Sequence, residues 1–277
     1  MIRHPAVAGA FYEGRADALE ADVRRRLPPG VSPAAALGAI VPHAGYVYSG
    51  GVAGEVFARL AIPPSIVILC PNHTGRGKPA ALDPSEAWRT PLGDVPVDER
   101  LSLRMLELAP SLQPDAVAHA REHSLEVQLP FVQVLRPDAS IVPISLGAHD
   151  LELCREVGEA CATLAAEETE AGRPAPLVLA SSDMNHYESR AVGSRKDALA
   201  LARVEEVDPE GLFATVMAES ISMCGFLPST ALLFAARKAG AGPARVVARA
   251  DSGDETGDTS SVVGYAGVVI AAAAGRP

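Results

Sequence analysis

Short apolar runs rich in Val and Ile alternate along this chain with stretches of helical period. The runs predict strands at about residues 37–41, 65–70, 140–146, 177–181, 244–249 and 262–271. Amphipathic spacing predicts helices at about 16–27, 51–60, 98–108, 123–135, 150–170, 193–203, 208–218 and 228–239. Pro28-Pro29-Gly30 ends the first helix, and the pair Gly50-Gly51 is placed just before the second. Residues 74–97, rich in Gly, Pro, Asp and Thr around Trp88, read as loop with short strands. Strands that are apolar at every position, rather than at alternate ones, belong to a sheet covered on both faces by helices. The expectation is therefore α/β: a single domain over residues 1–277, with a central, mostly parallel or mixed sheet flanked by helices.

The way the runs end carries the chemistry. AIV stops at Pro42-His43, VILC at Pro71-Asn72-His73, and LVLAS leads into Asp183 and His186. In open α/β sheets, ligands sit beyond the carboxyl ends of the strands, so residues that directly follow a buried strand are delivered to a site. HAREHSLEVQL adds His123 and Glu126, which on a continuous helix would share one face and point into a common pocket. Cys224-Gly225 precedes the predicted helix holding Pro228 and Ser229, and a helix N-terminus stabilises a thiolate, the metal-binding form of cysteine.

Composition narrows the alternatives. The net charge of −10 opposes a nucleic-acid binder, and the short basic cluster Arg24-Arg25-Arg26 reads as a solvated helix face. No apolar window is long enough to span a membrane, and MIRHPAVAGAFYEGR lacks the apolar core of a secretory signal. The four cysteines, Cys70, Cys154, Cys161 and Cys224, show no CxxC spacing, which fits free thiols and a cytoplasmic location. Cys70 lies inside an apolar run, while Cys154 and Cys161 lie in an amphipathic helix, and all three read as packing. His4, His119 and His149 stand away from any strand end and read as surface or loop residues.

Two neutral imidazoles with one thiolate or carboxylate make a facial site for a divalent transition metal, around which further His, Asp and Glu orient ligands or move protons. Taken singly, each of these residues is also explained by hydrogen bonding or packing. There is no GxSxG elbow, no Walker A loop and no GxGxxG after a strand; GRGKPA at 75–80 lacks the third glycine. HSLE matches the HxxE pattern of zinc hydrolases, in which Glu126 would be the general base.

The motifs PHAGYVYSGG, CPNHTG, WRTPLGDV, EHSLEVQLPF, LVLASSDMNHY, MCGFLP and DSGD…SSVVGYAG, in this order over about residues 3–270, resemble the MEMO family, labelled in prokaryotes AmmeMemoRadiSam system protein B. The resemblance implies a fold similar to the class III extradiol dioxygenases and a pocket binding iron, Fe(II) foremost, or copper. By that resemblance His43, His73 and Cys224 match the metal ligands. Asp183, His186 and His123 match pocket positions, with His186 at the place of an acid–base histidine. The family label also links prokaryotic members to AMMECR-type and radical SAM partners.

One departure from the dioxygenases keeps the function open: where they use two histidines and a carboxylate, the third position here is Cys224. A thiolate is softer and oxidisable, so copper or zinc competes with iron, and Met223 beside it makes a copper site conceivable. Three readings follow. The first is an iron-dependent, dioxygenase-like oxidoreductase acting on a small molecule. The second is a non-catalytic metal-binding or protein-interaction protein with a vestigial site. The third is a zinc hydrolase.

Overall fold

A computed structural model describes residues 1–273. In chain order the first elements are β1 (Ile2–Arg3), α1 (Ala16–Arg26), β2 (Ala36–Val41), α2 (Tyr46–Phe57) and β3 (Ser65–Pro71). Then come β4 (Ala80–Leu82), β5 (Ala87–Thr90), β6 (Gly93–Pro96), α3 (Glu99–Leu108), β7 (Gln113–Pro114), a 3₁₀ turn (Glu126–Gln128) and α4 (Leu129–Leu135). The second half runs β8 (Ser140–Leu146), α5 (Leu151–Glu170), β9 (Leu177–Ser181), β10 (His186–Glu188), α6 (Arg190–Glu205), α7 (Pro209–Ala218) and α8 (Phe226–Ala239). It closes with β11 (Ala244–Asp251), α9 (Gly253–Thr256) and β12 (Val262–Ala271).

The main sheet has the order β10-β12-β2-β9-β3-β8-β4-β7, with β11 paired to β12. Its centre, β2-β9-β3-β8, is parallel, while β12 and β4 flank it antiparallel, so the sheet is mixed as expected. Side chains alternate between two cores. Ile40, Val67, Leu69, Val142, Ile144, Val178 and Ala180 pack on one face with α5, α7 and α8. Ala39, Val41, Ile66, Ile68, Cys70, Ile141 and Leu179 pack on the other with α1, α2 and α4. Burial on both faces is what makes the runs continuously apolar.

Register levels the strand ends. Val41 pairs with Ser181 and Leu69 with Ala180, so the chain leaves β2, β9 and β3 at nearly one height. Pro42-His43, Ser182-Asp183 and Asn72-His73 therefore emerge together.

Two helix expectations needed correction. The helix after β2 starts at Tyr46 and runs through Gly50 and Gly51 instead of after them. Gly50 and Gly54 serve helix contact, while Gly51 faces open space: a Cβ at Gly54 would strike the Arg26 carbonyl, and one at Gly50 the Arg26 side chain. Arg26 is accordingly half-buried over Tyr46, while Arg24 and Arg25 stay exposed. The helix expected over 123–135 begins only at Leu129, after the 3₁₀ turn, because Pro130 has no N–H to donate back to Glu126.

Candidate metal centre

Beyond the carboxyl ends of β2, β3 and β9, His43, His73, Asp183 and His186 line one cavity of about 470 Å³. His123, Phe11, Tyr48 and Tyr265 line it too. Ser182 N–H donates to the Val41 carbonyl at 2.9 Å, extending the β2–β9 ladder past its last pair. Asp183 accepts the main-chain N–H of His43 at 2.7 Å, which fixes where that histidine leaves its strand. Cys224 arrives from the loop before α8. Its neighbour Gly225 packs so closely on the Ser181 carbonyl and Ser182 that no Cβ would fit, and its N–H donates to Ser182 Oγ at 3.1 Å. This approach puts Cys224 Sγ at 3.1 Å from His43 Nε2 and within 3.3 Å of the Asp183 N–H.

Hydrogen bonding sets the tautomers. Ser181 Oγ donates its one proton to the Ser124 carbonyl at 2.6 Å, so it accepts from His43 Nδ1–H at 2.9 Å. His73 Nδ1 faces the Glu122 carboxylate at 2.9 Å, and His186 Nδ1 faces the Ser222 carbonyl at 2.8 Å; both partners are acceptors only at these atoms. In all three rings Nδ1 carries the proton and Nε2 is left unprotonated, the arrangement a metal ligand or a base requires; at His43 this Nε2 meets the Cys224 sulfur. Burial lowers the pKa of His43 well below the ordinary value, with nearby His73 and His123 adding to the effect. Burial likewise lowers His123 and His186.

Of the six candidates, His43, His73 and His123 have ligating atoms that all lie within 4.8 Å of one another. Imidazole–metal bonds are about 2.0–2.1 Å, so donors on one ion stand at most about 4.2 Å apart, and this cluster is close to that span. The His73 and His123 rings stack at 4.8 Å between centroids, and His43 stands edge-on to both. Cys224 touches the same group through His43. Its thiol is not the stabilised thiolate expected at a helix start: burial, then the Asp183 carboxyl, push its pKa well above the ordinary value. Met223 beside it is buried in the core.

Glu126 is a correction. It does not share the pocket with His123; it is fully buried, ion-paired to Arg3 and bonded to the N–H groups of Ala6 and Val7 and the Tyr12 hydroxyl. So held, it is not free to act as a general base, which removes the basis of the zinc-hydrolase reading. His119, expected at the surface or in a loop, lies in a turn but is fully buried, with Nε2 on the Ala81 carbonyl at 3.1 Å. His149 is exposed, as expected.

Glu122 was missed. Fully buried, it receives the His73 N–H at 2.7 Å, the His73 ring, and the N–H and hydroxyl of Ser124 at 2.9 and 2.7 Å. Burial alone would raise its pKa, but these donors outweigh it and bring it to about 2. Its sequence signal was its place beside His123 in the quoted EHS motif; its bond to His73, 49 residues away, was not readable.

A family model described as Memo-like protein matches residues 3–269. The chain belongs to the Memo family. Memo-family relatives match it end to end. A MEMO1 family protein of Thermotoga petrophila is 39% identical over 98% of this chain and 100% of its own length. One of Methanothermobacter thermautotrophicus is 40% identical over 96% of this chain and 99% of its own. Among solved structures, an uncharacterized protein of Escherichia coli K12 shares the fold, with a TM-score of 0.53 at 15% identity over 78% of this chain and 89% of its own. No helix among the described residues of this Memo protein is long and apolar enough to cross a membrane.

Proposed function

We propose that this Memo protein binds a redox-active transition metal, iron(II) foremost and copper next, with redox-inert zinc only a competitor for the site, and acts as a dioxygenase-like oxidoreductase on a small molecule. The observation that carries the reading is the shared orientation of His43 and His73: acceptors on both Nδ1 atoms leave both Nε2 lone pairs facing one cavity. Cys224 is the proposed third ligand, since its sulfur already meets His43 Nε2. His123 is the rival third donor. When bound, such a metal supplies Lewis acidity and one-electron chemistry.

The chain's own residues have separable tasks. Glu122 and Ser181 hold the rings of His73 and His43 in one tautomer. Asp183 holds the His43 main chain. His186 Nε2 is the free base that takes a proton from the substrate, with Ser222 orienting the ring. His123 Nδ1 stands 3.6 Å from the Glu122 carboxylate, farther than the hydrogen bonds that fix the other three rings, so this ring can turn toward a ligand as donor or acceptor.

Metal content after anaerobic purification tests this in wild type, His43→Ala, Cys224→Ser and His123→Ala. Close to one iron or copper per chain, lost in the first two variants and kept in the third, is the expected result. Loss in His123→Ala with retention in Cys224→Ser would move the third ligand to His123, and no uptake by wild type after reconstitution would remove the metal reading. The second reading, metal binding without turnover, is favoured by Cys224 standing where a dioxygenase has a carboxylate. A catechol panel given to the loaded protein anaerobically and then exposed to O₂ separates the two: repeated turnover excludes the second, and no spectral change with any member excludes the first.

A further inference from the structure

The SSVVGYAG motif near the end of the chain has no part in the ligand set, yet it places Tyr265 in the cavity wall. Tyr265 lies on β12, paired with Ala250, directly after Gly264. Gly264 accepts the Met184 N–H at 2.8 Å and donates to the Asn185 carbonyl at 2.9 Å, so this part of the strand is stitched to the segment carrying Asp183 and His186. A Cβ at Gly264 would meet Asp197 and Met184. Since side chains alternate along a strand, Tyr265 turns the other way, toward the cavity.

Tyr265 is 3% exposed, and its hydroxyl makes no hydrogen bond among the described residues. The fully enclosed polar atoms that lack a partner, those of Ser145, Ser229 and Thr230 among them, do not include this hydroxyl and belong to residues away from the cavity. The Tyr265 hydroxyl instead keeps contact with the cavity space, where it is open to a partner that enters. Burial, then the Asp183 carboxyl, raise its pKa, so it remains a phenol and a donor at neutral pH.

We propose that Tyr265 is a ligand-contacting residue whose phenol donates a hydrogen bond to an anionic or carbonyl oxygen of a small molecule bound beside the histidines. The apolar faces of Phe11 and Val263 on the same cavity suit a ligand whose remaining body is flat or apolar. This inference deepens the metal-site reading and rests on it for the place of the ligand.

The test is titration of 4-nitrocatechol into wild type and Tyr265→Phe, with metal content measured on both. Phenylalanine keeps the ring and removes a hydroxyl that has no bond to lose, so the variant should fold with undiminished Tm. It should also keep the wild-type metal content, bind the probe roughly 10-fold or more weakly, and shift the absorption of the bound probe. Equal Kd and equal spectra in the two proteins would overturn the proposal, as would a drop in Tm with unchanged probe affinity, the signature of a structural role. Should wild type take up no metal, the metal reading fails by itself. The same pair is then titrated metal-free, and a wild type that binds no probe in either state overturns the Tyr265 assignment too.

Discussion

The cavity has two walls that treat their buried carboxyl groups in opposite ways. Behind one wall Glu122 and Glu126, four residues apart, are fully buried and richly supplied: Glu126 meets the Arg3 guanidinium, two N–H groups and a hydroxyl, and Glu122 meets four donors. On the other wall Asp183, and behind it Asp197, are also buried, but the groups that meet them are chiefly main-chain N–H. There desolvation wins, raising Asp183 to about 7 and Asp197 to about 6, whereas the donors around Glu122 outweigh it and hold that group at about 2. Similar burial thus keeps Glu122, which fixes His73, a charged group throughout, while the carboxyl groups of the wall that carries His186 titrate near neutral pH. The number and kind of donors decide, not depth.

The largest effect is expected where the support behind the first wall is cut. Glu126→Ala leaves Arg3 buried without its partner and frees residues 6–12, and breaking a buried pair from one side costs about 3–5 kcal/mol. Urea unfolding reads this directly; a loss under about 1 kcal/mol would mean that the N-terminal segment is held by packing, with Glu126 dispensable.

The opposite wall should respond to pH with the opposite sign. Asp197 titrates near 6 in the folded protein against 3.8 as an ordinary carboxyl, so the folded state holds the proton more tightly than the unfolded chain. Its contribution is therefore most favourable below pH 4, is lost as pH rises from about 4 to 6, and stays lost above that. Two pKa units correspond to roughly 3 kcal/mol. Asp197→Asn should be more stable than wild type at pH 8 by up to that amount, less whatever is lost in turning the amide oxygen to the Asn185 N–H. The two proteins should converge below pH 4. Parallel stability curves from pH 4 to 8 would count against an uncompensated carboxylate here.

Next in size is the link from the first wall to the proposed metal. Glu122→Gln keeps an acceptor for the His73 ring but removes the charge that raises its basicity as a ligand. Losing such an outer partner costs about 10- to 100-fold in metal affinity. Competition with a chromophoric chelator measures it. An unchanged affinity would mean that Glu122 only secures the Ser124 turn and the His73 backbone.

Much of the second wall was legible in the sequence. A residue following a buried strand has only one place to go, which put Asp183 and His186 at the sheet's carboxyl edge along with His43 and His73. The first wall was misread where its geometry depends on a helix that is not there: His123 and Glu126 share a face only on a continuous helix, and Pro130 prevents that helix from reaching them. Glu126 then turns inward to Arg3, a partner 123 residues away that no local pattern announces. Glu122 and Tyr265 both sat inside quoted motifs and were passed over for a similar reason. What singles each out, a carboxylate with four donors or a phenol with none, is a property of tertiary surroundings and leaves no periodic trace.

The smallest expected effect concerns strain on the wall that carries His186. Tyr187, next to His186, has φ of +61°, a left-handed conformation that a tyrosine adopts at a cost, and its side chain is 78% exposed, so packing does not explain it. Tyr187→Gly relieves the conformation but adds backbone entropy to the unfolded chain, for a net gain of about 0.5–1 kcal/mol. Tyr187→Ala keeps the strain and loses the ring, so it should gain nothing. If the ring contributes to ligand binding, both variants weaken 4-nitrocatechol equally while only the glycine variant is stabilised. That pattern would show strain on this wall being retained for the sake of the side chain it displays at the rim beside His186. Equal stability of the two variants would mean instead that this irregular stretch of β10 is held by its neighbours, and that the left-handed residue costs the fold nothing measurable.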